Sequence, residues 1–298
     1  MTMISMKHLR YFEAVARLGH FGRAAESCSI SQPALSLQVK ELEDILGAPL
    51  IERGGRRIRL TDLGEAFAAR ARDILRSVDE LDELARFSRA PFTGRLRLGV
   101  IPTIAPYLLP AFVKALAVRH PGLDLRPREA MTRILVADLL DGRLDAAILA
   151  LPISEPSLVE VPLFSEEFLL VRPSGADGDP APTAGALSEM RLMLLEEGHC
   201  FRDQAIAYCG IPTMRSGGLI EGSSLSTLVQ LVGVGIGVTL VPEMAVPIET
   251  RSAPVSVVRL REPRPTRTVG MIWRRTNPLA DQLEAIADLV RGLGEAAR

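Results

Sequence analysis

The chain has 298 residues, 47% of them hydrophobic and 24% charged, with a formal net charge of −1. This is ordinary globular composition, long enough for two or three domains. It excludes a disordered chain and a globally basic nucleic-acid binder, so any nucleic-acid surface must be basic locally. Three cysteines exclude a disulfide-stapled framework, and no apolar run approaches the roughly 20 residues of a membrane helix.

Residues Met1 to His8 lack the apolar core and cleavage site of a secretory signal, so the expected compartment is the cytoplasm, with thiols reduced at rest and no membrane partner. Leu9, Phe12, Val15 and Ala16 then recur at helical spacing until Gly19 and Gly22 break the pattern. Ala24 and Ala25 open a short helix, Ser29-Ile30-Ser31 turns the chain, and Gln32-Pro33-Ala34-Leu35-Ser36 begins a third helix. Ser31 is its expected N-cap, and Pro33 is tolerated in a first turn where an N–H has no partner. Two short helices joined by a tight turn, with Leu35, Val39 and Leu42 as the buried stripe of the second, predict a helix-turn-helix. Leu50 to Leu60 reads as two strands around Gly54-Gly55, a basic wing that completes a winged domain over 1–60. Thr61 caps a long helix over 61–90, in which Phe67, Ala71, Ile74, Val78, Leu81 and Ala85 form a heptad seam that favours a partner helix.

Pro91-Phe92-Thr93-Gly94 breaks that helix, and strands and helices alternate from there to the end, which predicts an α/β architecture over 91–298. The expected arrangement is two subdomains facing across a cleft, one of about 91–162 with 267–298 and one of about 163–266. The bridges between them are expected near Val161-Pro162 and Arg264-Pro265. Gly233-Val234-Gly235-Ile236-Gly237 precedes a strand instead of opening a helix, so a dinucleotide loop is excluded. His8, His20, His120 and His199 have no metal-ligand spacing with the cysteines, so neither a metal nor a cofactor is expected.

Two groups of residues carry chemistry. On the third helix, Gln32 and Ser36, with Pro33 and Gln38 nearby, suit base or phosphate contacts in a major groove. Lys40 and the wing residues Arg53, Arg56, Arg57 and Arg59 suit phosphates. Any one of these arginines taken singly reads first as a solvated charge; it is their clustering beside a helix-turn-helix that favours DNA. The second group is the pair Cys200 and Cys209. If residues 201 to 208 are helical, the two thiols stand roughly 13 Å apart, whereas a disulfide needs Cα atoms within about 7 Å. A bond between them therefore requires the segment to unwind. Cys200 would sit at the helix start, where free N–H groups favour a thiolate. Free cysteines are also commonly plain buried side chains, and the residues alone leave that reading open; Cys28 is read that way.

Over its full length the chain resembles the LysR-type transcriptional regulators. The head carries Phe12, Ala24-Ala25, Ser31-Gln32-Pro33-Ala34-Leu35-Ser36, Leu42-Glu43, Leu50-Ile51-Glu52-Arg53 and Leu60-Thr61 in that family's order, and the effector half carries Gly233 to Gly237 running into Leu240-Val241-Pro242. Within the family, Gly198-His199-Cys200-Phe201-Arg202-Asp203-Gln204 and Ile101-Pro102-Thr103 with Pro106 to Pro110 resemble the peroxide-sensing OxyR group. The resemblance implies a winged helix-turn-helix with a long linker helix, then a two-subdomain α/β effector domain of periplasmic-binding-protein type. It implies a regulator, not an enzyme, acting as a homodimer or homotetramer on promoter DNA, with RNA polymerase as a further partner and hydrogen peroxide as signal. It assigns Cys200 as peroxidatic and Cys209 as resolving, with Thr103, Thr132, His199, Arg202 and Arg274 around the peroxide, and with reset by a thiol-disulfide reductant. Leu219 departs from the group, where a histidine is common. Read without the resemblance, Thr103 and Thr132 are helix caps. Two rivals remain: a LysR-type regulator holding a small organic ligand through Thr103, Ser223 and Ser224, and a thiol peroxidase.

Overall fold

The computed structural model describes residues 3–52, 58–87, 92–175, 181–210 and 220–296. The chain divides into two compact units, Met1–Ala85 and Arg86–Arg298.

The first unit opens with α1 (Met6–Leu18), capped reciprocally by Ser5, whose side chain accepts from His8 N while His8 Nδ1 accepts from Ser5 N. His20 caps α2 (Phe21–Ser27). Ser31 caps α3 (Gln32–Leu46), which stops at Gly47 in the left-handed conformation. Phe12, Val15, Ala24, Leu35, Leu42 and Leu50 close the core between these helices. Glu43 at the end of α3 accepts from the amides of Leu50 (2.7 Å) and Ile51 (3.1 Å), which fixes where the next segment leaves the helix. An antiparallel bridge pairs Ile51 with Leu60, as expected for the arms of a wing; its tip, with Arg53, Arg56 and Arg57, lies outside the described residues. In α4 (Asp62–Phe87), Gly64 is required: a Cβ there would overlap the Leu50 carbonyl. Phe67 packs edge-on against Phe12, and Ala68 and Ala71 are buried.

The second unit is built from β1 (Gly94–Val100), α5 (Ala105–Arg119), β2 (Leu123–Glu129), α6 (Thr132–Leu140), β3 (Ala146–Leu151), β4 (Leu158–Pro173), α7 (Ala184–Glu189), β5 (Leu192–Leu195), α8 (Cys200–Cys209), β6 (Ile220–Gly222), α9 (Leu225–Gly233), β7 (Val238–Pro242), α10 (Val246–Glu249), β8 (Val255–Arg259), β9 (Thr266–Arg274) and α11 (Ala280–Ala296). Strand order is β2-β1-β3-β9-β4-β7-β5-β6, with β8 also on β4. Two hydrophobic cores result. One, around Phe112, Ile148, Trp273 and Leu283, serves the β2-to-β9 side. The other, around Phe168, Leu194, Phe201 and Val229, serves the β7-to-β6 side.

The crossing between the two halves differs from expectation. β4 runs unbroken past Val161-Pro162, where it only shifts register, and stays paired with β9 as far as Glu167↔Thr266; from Phe168 it pairs with β7 and β8. Phe168 N donates to Pro265 O (2.9 Å), which holds the start of β9 against the same point of β4. A proline at a bulge is compatible with a continuing strand, and reading Pro162 as a break placed the first crossing too early. Likewise α5 begins at Ala105 instead of Leu108, because Pro106 fits the first turn.

Candidate functional site

The segments that follow three strands meet at one place. Ile101-Pro102-Thr103 follow β1, Met131-Thr132 follow β2, and Gly198-His199-Cys200 follow β5. Together they enclose a narrow recess of about 170 Å³. Loops beyond the carboxyl ends of strands are where α/β sheets form ligand crevices.

Thr103 is 3% exposed. Its Oγ1 accepts from Arg267 Nη1 (2.7 Å) and its carbonyl from Arg267 Nη2 (2.9 Å). With one hydroxyl lone pair taken, the Thr103 O–H is left to donate elsewhere. Arg267 is itself held by Glu166 through Nε (2.8 Å) and lies 5.5 Å from the Phe201 ring centroid. Glu166 also accepts from Met244 N, which ties this buried pair across both halves of the sheet. Thr132 Oγ1 is buried and makes no hydrogen bond among the described residues. The capping readings therefore fail: the N-cap of α6 is Met131 and that of α5 is Ile104, and neither helix start has a side-chain cap bond.

His199 is the N-cap residue of α8 and is buried. Burial pushes its imidazole below the usual 6.5, against an upward pull from Glu196 and Glu129. At neutral pH it offers a hydrogen bond, not a positive charge. Cys200 is the first residue of α8, half-buried against the first core; Cys209 is the last, buried in the second core. Both are free thiols. Burial pushes the Cys209 thiol up to about 11. Nine residue steps along the helix separate the two by roughly 13 Å, at about 1.5 Å per residue.

The structure moves two expected residues out of the recess. Arg202 turns back to the Leu195 carbonyl (2.8 Å) and to Glu221 (2.8 Å), because those acceptors lie at the end of β5 and on β6 beside it. Arg274 donates to the carbonyls of Leu139 (2.6 Å) and Leu144 (2.9 Å), at the far end of β9. The arginine beside Thr103 is Arg267, seven residues earlier. Strand register sets Glu167 against Thr266 and Glu166 against Arg267, which no sequence pattern gives. Met131 and Gly198 had no signal either. Leu219 lies outside the described residues.

On α3, Gln32, Pro33, Ser36 and Lys40 are exposed and share one face, with Leu37 at its edge, 64% exposed. Gln38 is off that face and donates to Glu41 (2.9 Å). On α4, Ile74 and Leu81 are exposed while Phe67 and Val78 are half-buried, which leaves part of the heptad seam uncovered in the single chain.

Residues 6–65 match the bacterial regulatory helix-turn-helix proteins of the lysR family, and residues 89–294 match the LysR substrate binding domain. The chain belongs to the LysR family of bacterial regulators. Within that family it is 45% identical to a probable hydrogen peroxide-inducible genes activator of Streptomyces viridosporus, over 96% of this chain and 93% of the relative. It is 38% identical to the DNA-binding transcriptional dual regulator OxyR of Escherichia coli, over 97% and 95%. Among solved structures it is similar to a full-length OxyR variant from Pseudomonas aeruginosa (36% identity, TM-score 0.78, 98% and 96% of the two chains). It is also similar to a hydrogen-peroxide-bound OxyR mutant from Corynebacterium glutamicum (33% identity, TM-score 0.68, 99% and 94%).

Proposed function

We propose that this chain is a DNA-binding transcriptional activator that senses hydrogen peroxide through a reversible Cys200–Cys209 disulfide. The observation that carries the reading is the placement of two free thiols at opposite ends of one helix, each against a different core. Peroxide is small enough to enter the recess with modest side-chain movement, and Thr103 and Thr132 offer hydroxyls to its oxygens.

The Cys200 thiolate attacks one peroxide oxygen, the O–O bond breaks, and hydroxide leaves, taking up a proton to become water. Cys200 is then a sulfenic acid. Cys209 sulfur attacks the Cys200 sulfur and a second water leaves. The net change is two thiols and one peroxide to one disulfide and two waters. A dithiol reductant reverses it by exchange. Because the bond cannot close across a folded α8, oxidation forces that helix to unwind, and the refolded segment alters contacts between effector domains and so the spacing of the DNA-binding heads. Gln32 and Ser36 read bases; Lys40, with Arg53, Arg56 and Arg57 of the wing, neutralises phosphates. The α4 seam of Phe67, Ile74, Val78 and Leu81 pairs two chains, and two such dimers make a tetramer. RNA polymerase is the partner at the promoter, and the cytoplasm is the compartment; no helix among the described residues is long and apolar enough to cross a membrane.

A small-ligand regulator is disfavoured because Ser224 already caps α9, accepting from Thr227 N (3.2 Å), and Thr103 is engaged by Arg267. In a DNA-binding assay, micromolar peroxide should change the footprint of the wild-type protein and leave that of Cys200→Ser unchanged. A response of Cys200→Ser equal to wild type contradicts the reading. Sustained peroxide consumption with a thiol reductant, faster than one switch cycle explains, would make the chain an enzyme instead.

A further inference from the structure

Met131 lines the narrow recess beside Cys200. Met131 occupies the N-cap position of α6 in extended backbone, half-buried, with no side-chain cap bond. Helix starts ordinarily take Ser, Thr, Asp or Asn, whose oxygen accepts from an orphan N–H. Here that stabilisation is given up, and an unbranched thioether lines the recess instead. The thioether is packed on Gly198: a Cβ at Gly198 would lie 2.6 Å from Met131 Sδ, closer than real Cβ contacts come. Gly198 holds φ +99°, in the region that favours glycine, two residues before Cys200. Met131 thus presses on the turn that delivers the reactive thiol. Next to it in the chain is Thr132, whose buried hydroxyl has no partner among the described residues.

We propose that Met131 is a gate that sets which oxidants reach Cys200, admitting hydrogen peroxide and turning away hydroperoxides with a bulky alkyl group. The proposal rests on Cys200 being the peroxide-reactive thiol. Methionine suits the task because its three rotatable bonds let it swing aside at small cost, and its apolar body offers a bulky alkyl group no space while it is in place. Thr103 and Thr132 then meet both oxygens of the admitted molecule. A second alkyl-bearing oxidant would have to displace Met131 from Gly198 for as long as it stayed bound.

The test uses the full chain as wild type, Met131→Ala, Met131→Ser and Met131→Leu, with unaltered DNA binding and melting temperature as the check on folding. Met131→Ser both shortens the side chain and installs an ordinary cap, so it protects the experiment against a misfolded alanine variant. Loss of the Cys200 thiol is timed with hydrogen peroxide, with tert-butyl hydroperoxide, and separately with iodoacetamide in the absence of any peroxide. In the alanine and serine variants the rate with tert-butyl hydroperoxide relative to hydrogen peroxide should rise roughly tenfold or more, the scale on which pocket size discriminates. Iodoacetamide should also react faster, and Met131→Leu should stay close to wild type on both readouts. An unchanged ratio and an unchanged alkylation rate in a folded serine variant overturn the gate. If hydrogen peroxide leaves wild-type Cys200 untouched, the peroxide-sensing reading fails by itself, and the alkylation rates still decide whether Met131 controls access.

Discussion

At the residue scale, the arginine beside Thr103 is Arg267, paired with buried Glu166, where the family resemblance implied Arg202 and Arg274. Both Arg267 and Arg274 lie on β9 with an odd separation of seven, so the alternation of a strand sends them to opposite faces. Nothing in the sequence alone says which face meets Thr103; the register with β4 does, by setting Arg267 against Glu166. Thr103, Thr132 and His199 were expected around the peroxide only through the family resemblance; their positions alone read Thr103 and Thr132 as caps, and the recess they line with Cys200 is set by the fold. Arg267→Met should destabilise the protein by about 3–5 kcal/mol, because Glu166 is left as an uncompensated buried charge. Replacing Glu166 by Gln at the same time should recover much of the loss, measured by chemical denaturation. Cys209 makes a pH prediction. The folded thiol keeps its proton to about 11 while an unfolded one loses it near 9.0. Below that lower value the contribution is complete; between the two the unfolded state binds fewer protons, so stability falls as pH rises. Denaturation of reduced protein from pH 8 to 11 should show this fall, and Cys209→Ala should flatten it.

Elements explain why oxidation has a structural consequence. Phe201, Ala205 and Cys209, four residues apart, form the buried stripe of α8, so the resolving thiol is part of what docks the helix. A ten-residue helix has little stability of its own, and this one is held by packing, including Phe201 against Phe168 at 4.6 Å. Drawing Cys209 out removes part of that packing. Amide exchange over residues 201–208 should therefore be slow in the reduced protein and become fast after oxidation; equal protection in both states counts against helix unwinding. The helix was only supposed from the spacing of the two cysteines, and the structure forms it from Cys200 to Cys209. β5 was not, since four apolar residues in a row read equally as helix or strand, and only its pairing with β6 and β7 decides the matter. On α4, Ile74 and Leu81 remain exposed at heptad spacing. Changing both to Arg should shift the protein to monomer in sedimentation, with each effector domain still folded; an unchanged oligomer would remove the seam from the interface.

For the whole molecule, the near-zero net charge means that DNA binding rests on local groups, and these divide by role. Lys40→Ala should weaken binding to all sequences alike and lower the salt slope by about one, as expected for one lost phosphate contact. Gln32→Ala should instead narrow the gap between operator and random DNA. Equal loss on both would remove Gln32 from base reading. The broad plan of the chain, a helix-turn-helix head, a long helix and an α/β effector half, was legible because hydrophobic period and turn residues change sharply at Gly54-Gly55 and at Pro91 to Gly94. The crossing point on β4 was hidden for the opposite reason: one strand runs through both halves of the sheet with no change of pattern.

The most direct measurement is peptide mapping by mass spectrometry of thiol-trapped protein, before and after a short stoichiometric peroxide pulse. The account predicts all three cysteines alkylated beforehand, and afterwards a single linked peptide pair joining Cys200 to Cys209 with Cys28 still alkylated. A link already present in the reduced sample, or Cys200 oxidised with Cys209 still free, would contradict it.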